Sequence, residues 1–271
     1  MKSVNEELNT SVQEIERIRK EYALRDRQDF SNIYSYANPS FLFHMHERER
    51  VILNALKKEK IDLAHSSLLE VGCGTGHILQ RFLEFGAKKV TGIDLIESRV
   101  RTGMKKYPNL HLTQGDAANL PFKDGEFNLV MQFMCLSSVL NPIMRQKIAN
   151  EMWRVLRPGG TLLFYDLRPI SRWAPPFLRL WQVIKGIRRL FRFQKKNRTD
   201  SSQSKPQTTS THLITLVEIK KLFNQGFVDV QSVSLDFKFA SLAQRSNLIA
   251  VLLSHLPFLR THYLALIQKP S

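Results

Sequence analysis

Residues 68–77 read LLEVGCGTGH. An apolar run passes into one acid, Glu70, and then into three glycines within five positions, Gly72, Gly74 and Gly76. Glycine has no Cβ and accepts positive φ, so a strand that ends in glycines and turns into a helix lets its backbone approach a ligand closely. Such loops seat nucleotide-like cofactors. Which cofactor this one holds decides the fold and the function together.

A dinucleotide loop would read G-x-G-x-x-G, with an acid about 20 residues further on. Here the spacing is G-x-G-x-G, with Asp94 at the end of the next apolar run. Either cofactor class wants the glycines and the acid, so the loop alone leaves the choice open. The neighbouring periodicity narrows it. Strands are expected at Ser67–Val71, Lys89–Ile93, Leu110–Gln114, Phe127–Phe133, Thr161–Tyr165, Val228–Leu235 and Tyr263–Gln268, with helices near 76–85, 98–106, 143–156 and 216–225. Strand and helix in alternation predict a mostly parallel α/β sheet covered on both faces. Pro158-Gly159-Gly160 reads as a turn that stops a helix and starts the fifth strand. Upstream, Val4, Leu8, Val12, Ile15, Ile18 and Tyr22 predict an amphipathic helix, and a second helix is expected over His46–Lys60.

Further phrases follow in order. Gly115-Asp116-Ala117 succeeds the third strand, Leu120-Pro121-Phe122 and Gly125–Val130 lead into the fourth, and Arg154–Gly160 precedes the fifth. In this order and spacing they resemble the class I S-adenosylmethionine-dependent methyltransferases over about residues 66–167. The resemblance implies a Rossmann-like, doubly wound seven-stranded sheet whose last strand runs antiparallel beside the fifth. It implies S-adenosyl-L-methionine as cofactor, with Glu70 and the loop residues Gly72, Cys73, Gly74 and Gly76 along its methionine portion. Asp94 would accept both ribose hydroxyls, Leu95 would pack on the adenine, Asp116 would bond its amino group, Ala117 would add a backbone contact, and Phe133 would face the cleft. Asn128 stands where the family often has an acid, at a position that serves structure.

The resemblance also implies a donor that is already activated, so placing an acceptor in line and excluding water supplies most of the catalysis. An oxygen or nitrogen acceptor must still lose a proton. Asp166, at the end of the fifth strand, and His46 are the candidate catalytic bases, with His44 and Tyr165 behind them, while His77 reads as the start of a helix. No metal-ligand spacing occurs, and no metal is expected.

Of 271 residues, 43% are hydrophobic, enough for one full core. The net charge of +16 is unevenly placed: residues 171–271 hold 16 Lys/Arg against 4 Asp/Glu, and Arg172–Arg198 holds nine basic residues and no acid. Residues 177–193 separate into an apolar half with Phe177 and Trp181 and a basic half with Arg189 and Arg192. That pattern admits a lid helix over the cleft, a helix lying on anionic lipid, or a nucleic-acid contact. Nucleic acid is not expected, because the rest of the chain is near neutral. Four regions result: an N-terminal helical lid (1–65), a cofactor-binding core (66–169), a basic amphipathic helix with a flexible polar linker (170–211), and a C-terminal part of the sheet with a substrate-side helix (212–271). Two cysteines, no secretory-type leader and no apolar run of about 20 residues lead to an expected cytoplasmic location, with peripheral contact at the inner face of an anionic membrane through 172–198. The expected activity is methyl transfer to a small-molecule or lipid-linked acceptor at oxygen. An RNA methyltransferase and a non-catalytic cofactor-binding protein remain the alternatives.

Overall fold

The helices and strands alternate as the sequence periods require. The computed structural model describes residues 2–28, 35–169, 210–224, 226–235, 249, 252–253 and 256–271. The basic helix expected at 177–193, the linker after it and nearly all of the substrate-side helix expected in the C-terminal part lie outside those residues. Two helices come first, α1 (Lys2–Asp26) and α2 (Pro39–Lys58). The sheet then begins with β1 (Ser67–Val71), α3 (His77–Glu84), β2 (Lys89–Asp94), α4 (Glu97–Lys106) and β3 (His111–Gln114). It continues through β4 (Phe127–Phe133), α5 (Pro142–Val155), β5 (Leu156–Leu167), α6 (Leu216–Leu222), β6 (Phe227–Leu235) and β7 (Arg260–Gln268).

Seven strands form one sheet in the order β3-β2-β1-β4-β5-β7-β6. The first five pair in parallel, and β7 runs antiparallel to both β5 and β6. The strand order switches between β1 and β4, with β2 and β3 to one side and β5 to the other, which opens a crevice beyond the carboxyl ends of those strands. Leu68, Leu69 and Val71 are fully buried, as a central parallel strand covered on both faces demands. The core splits accordingly. On one face Phe164, Leu156 and Val130 pack with α5 and α6, and on the other Leu68, Met131 and Tyr165 pack with α2 and α3.

Local chemistry sets the helix starts. Asn38 and Asn141 each precede a proline, and each side-chain oxygen accepts two backbone N–H groups of the first turn. This N-cap starts α2 at Pro39, seven residues before the expected His46. In α1, Ile15, Ile18 and Tyr22 meet the core, whereas Val12 stays exposed.

Pro158-Gly159-Gly160 does not end the helix as expected. Helix α5 ends at Val155 and β5 already pairs Leu156 with Phe127, with a register shift before Leu129 meets Thr161. The glycines form a kink inside the strand entry: Gly159 has φ +68°, and a Cβ on Gly160 would lie 2.7 Å from Leu156 Cδ1.

Candidate functional site

A cavity of about 670 Å³ opens at the crevice between β1 and β4, walled also by α1 and α2. The glycine loop forms one side. Gly72, Gly74 and Gly76 have φ of +76°, +56° and +77°, but they do different things. A Cβ on Gly72 would sit 2.8 Å from Cys135 Sγ, and one on Gly76 would sit 2.8 Å from Leu110. At Gly74 nothing lies nearer than Arg99 Nη1 at 4.0 Å, so this glycine keeps the cavity side open. Gly76 does not line the cavity. It begins α3 in the left-handed conformation and packs beneath it.

Asp94 ties the loop to β2. One carboxylate oxygen accepts Gly74 N–H at 2.7 Å and the other accepts Ile96 N–H at 2.8 Å. Burial raises its pKa, partly offset by those two hydrogen bonds. A carboxylate offers about four lone-pair directions, so it can still accept two hydroxyls. Asp116 accepts Ala118 N–H at 2.8 Å and lines the same cavity, as do Leu95, Ala117, Cys73 and Phe133.

Glu70 is 1% exposed, and its Oε2 has no hydrogen-bond partner. Burial pushes its carboxyl well above the usual carboxylate range, against the pull of the Arg48 charge. Arg48, on α2, is 8% exposed and its Nε also lacks a partner. Its guanidinium carbon lies 5.7 Å from the Phe133 ring centroid and 5.9 Å from that of Tyr165. Burial lowers its pKa. Two buried, opposite and unsatisfied groups thus face one cavity, a costly arrangement unless a ligand completes both.

Helix α1 closes the other wall. Arg17 donates to Ser138 O at 2.6 Å, and Glu14 accepts the N–H groups of Leu140 and Asn141. The Tyr22 hydroxyl lies 3.0 Å from Ser138 Oγ, and Arg99 reaches across its ring at 4.4 Å to pair with Asp26. Ile18, Tyr22 and Asp26 line the cavity. Sequence reasoning missed Arg48, Tyr22 and Arg99, because only the packing of α2, α1 and α4 around the cavity brings them there.

The two candidate bases are not brought to this cavity. His46 is exposed on α2. Asp166 is fully buried, and its oxygens accept Ser137 N–H at 3.0 Å and Leu167 N–H at 2.8 Å. Alternation along β5 sends Tyr165 to the cavity and Asp166 to the opposite face. Tyr165 stacks on His262, with ring centroids 4.7 Å apart, and its hydroxyl lies 2.7 Å from Ser234 Oγ. His44 lies beyond, its ring 5.5 Å from His262, and His77 lines the cavity as the first residue of α3. Among the described residues there is no group of three or more His, Cys, Asp or Glu able to hold a metal.

Burial lifts the Asp166 pKa from 3.8 to about 6, opposed by its hydrogen bonds from Ser137 and Leu167. A folded pKa above the unfolded one stabilises the fold fully below about 3.8, and that contribution is lost as pH rises through about 6. The charged form then costs on the order of 3 kcal/mol at neutral pH. The stability of Asp166→Asn relative to wild type is expected to rise by up to that amount between pH 4 and pH 7. Urea unfolding at both pH values checks it, and a pH-independent difference would contradict it.

A family model described as "Methyltransferase domain" matches residues 68–160, the stretch that contains the glycine loop, Asp94, Asp116 and β4. The phthiotriol/phenolphthiotriol dimycocerosates methyltransferase of Mycobacterium tuberculosis (strain ATCC 25618 / H37Rv) is 38% identical over 147 residues, covering 47% of this chain and 53% of the relative. Sterol 4-C-methyltransferase strm-1 of Caenorhabditis elegans is 28% identical over 145 residues, covering 51% and 42%. The chain thus spans about half the length of these curated relatives or less. Among solved structures, an S-adenosylmethionine-dependent methyltransferase from Methanosarcina mazei aligns with a TM-score of 0.53 at 20% identity, covering 79% of this chain and 96% of that one. Sheet order and glycine loop agree with these likenesses: residues 68–160 are similar to a methyltransferase domain, and the sheet shares the fold of a solved S-adenosylmethionine-dependent methyltransferase.

Proposed function

We propose that the protein transfers the methyl group of S-adenosylmethionine to a small-molecule or lipid-linked acceptor, at oxygen. The observation that carries the reading is the pair of unsatisfied buried atoms, Glu70 Oε2 and Arg48 Nε, on one cavity. An amino-acid head carries an ammonium and a carboxylate, so it complements both at once. Asp94 and Asp116 then hold the ribose and the adenine, with Leu95 and Ala117 beside the base. Gly74 lets the chain pass close beneath the ligand. The bound cofactor supplies an electrophilic methyl group on a sulfonium centre. The protein's own part is to orient the acceptor, exclude water behind α1 and α2, and surround the positive centre with the Phe133 and Tyr165 rings.

Relatives named for a sterol and for phthiotriol dimycocerosates support an apolar, lipid-like acceptor. In this reading residues 1–65 act as the lid, residues 66–169 with 212–271 form the catalytic unit, and the basic 172–198 segment meets anionic lipid at the cytoplasmic face of a membrane. No helix among the described residues is long and apolar enough to cross a membrane. Release of S-adenosylhomocysteine on addition of a lipid extract tests the activity. Release driven by RNA instead, or none with any extract, would overturn it.

Arg48→Met separates the head from the rest of the cofactor. A hydrogen bond to a charged group is worth about 1.5–3 kcal/mol, so affinity for S-adenosylmethionine should fall about 10- to 100-fold. Methylthioadenosine, which lacks the amino-acid head, should bind the variant and wild type equally. Calorimetry with both ligands checks this, and equal losses for the two would place Arg48 elsewhere.

A further inference from the structure

We infer that Met134 is the residue that selects an apolar acceptor, its thioether forming the wall on which the acceptor's carbon skeleton packs. The inference rests on the methyltransfer reading and adds to it the side chain that recognises the acceptor. Among the described residues three that are not glycine hold positive φ, Lys60, Met134 and Ser234, and of these Met134 alone lines the cavity.

At φ +59° the Met134 backbone is strained, in a region where glycine is relaxed. Such strain persists only where the surroundings over-determine it. Here Met134 N–H donates to Tyr165 O at 2.9 Å, and Met134 O accepts the Ser137 and Ser138 hydroxyls at 3.3 and 3.1 Å. Below them the buried Gln132 accepts Cys135 N–H at 2.9 Å and Leu136 N–H at 3.4 Å on Oε1, while Asp166 accepts Ser137 N–H at 3.0 Å. These bonds run to backbone groups or to neighbouring side chains, and a glycine at position 134 would preserve every one of them. The fold therefore bears a cost to keep a side chain at this point of the cavity.

Its place in the sheet sets it apart from the groups assigned to the cofactor. Asp94 ends β2 and Asp116 follows β3, both on one side of β1. Met134 follows β4 and is bonded to β5, on the other side. A cofactor with its head at Glu70 and its adenosine toward β2 and β3 leaves the β4–β5 side for the acceptor. There Met134 directly follows Phe133, whose ring lies 5.6 Å from that of Tyr165, and at 39% it is the most exposed large apolar residue lining the cavity. An unbranched thioether adapts to carbon skeletons of varied shape. It offers a charged group nothing to replace lost hydration, so it favours an apolar acceptor over an ionic one.

The test measures S-adenosylhomocysteine release by the full chain over a dilution series of a chloroform–methanol lipid extract, for wild type, Met134→Leu, Met134→Gln and Met134→Gly. Affinity for S-adenosylmethionine is measured alongside by calorimetry and should be the same in all four proteins. Leucine keeps an apolar side chain of similar volume, so Met134→Leu should retain kcat/KM within about threefold. Met134→Gln keeps the length and the strain but presents an amide, and should lose about tenfold or more. Met134→Gly relieves the strain, so its thermal midpoint should hold or rise, yet kcat/KM should fall about tenfold or more. Wild-type kcat/KM in Met134→Gln or Met134→Gly, an equal loss in Met134→Leu, or a parallel loss of cofactor affinity would each overturn the inference and leave the methyltransfer reading in place. No release by wild type would overturn both.

Discussion

Asp94→Ala is expected to reduce affinity for S-adenosylmethionine at least about 100-fold, because two hydrogen bonds to a charged acceptor disappear, at roughly 1.5–3 kcal/mol each. The effect should extend beyond the ligand. The same carboxylate holds Gly74 N–H and Ile96 N–H, so its loss leaves two backbone donors without their acceptor and loosens the loop. Stability should fall by about 1–3 kcal/mol, with the far-ultraviolet circular dichroism unchanged. Unlike Arg48→Met, this variant should lose methylthioadenosine as well, since the ribose is common to both ligands. Wild-type affinity for either ligand would refute the role of Asp94.

Gly74→Val should abolish measurable binding while leaving a folded protein. The residue sits at φ +56°, where a β-branched side chain is strained by about 1–2 kcal/mol or more. Its Cβ would meet no neighbour closer than 4.0 Å, so the protein can accommodate the added atoms and the ligand cannot. Gly72→Val and Gly76→Val are expected to behave differently, because their Cβ atoms collide with Cys135 and Leu110 and should unfold the loop. Thermal unfolding alongside calorimetry distinguishes the cases. Binding by Gly74→Val at wild-type strength would remove the loop from the site.

The sheet was legible because strand burial writes itself into sequence. β1 and β4 have the expected bounds, since apolar runs closed by glycine or by turn residues mark both ends. Edges blurred where pairing, not composition, decides. β7 begins at Arg260 instead of Tyr263, because His262 pairs with Leu167 across the antiparallel join. The start of α2 was written as Asn38-Pro39, a cap that the apolar period alone does not reveal. At the site, the expected loop and acids converge on one cavity, apart from Gly76, which turns beneath α3. Strand-end position was a poor guide for Asp166, because a one-residue step along a strand changes the face. Arg48 was out of reach for another reason: its meaning depends on Glu70, which meets it only in three dimensions.

Calorimetric titration of the wild-type chain with S-adenosylmethionine tests the central claim most directly, because cavity, glycine loop and the unsatisfied Glu70 and Arg48 atoms all converge on that ligand. The account predicts saturable heat with one site per chain, retained in part for methylthioadenosine and weakened in Arg48→Met only for the full cofactor. No heat from S-adenosylmethionine with a protein shown to be folded would contradict it.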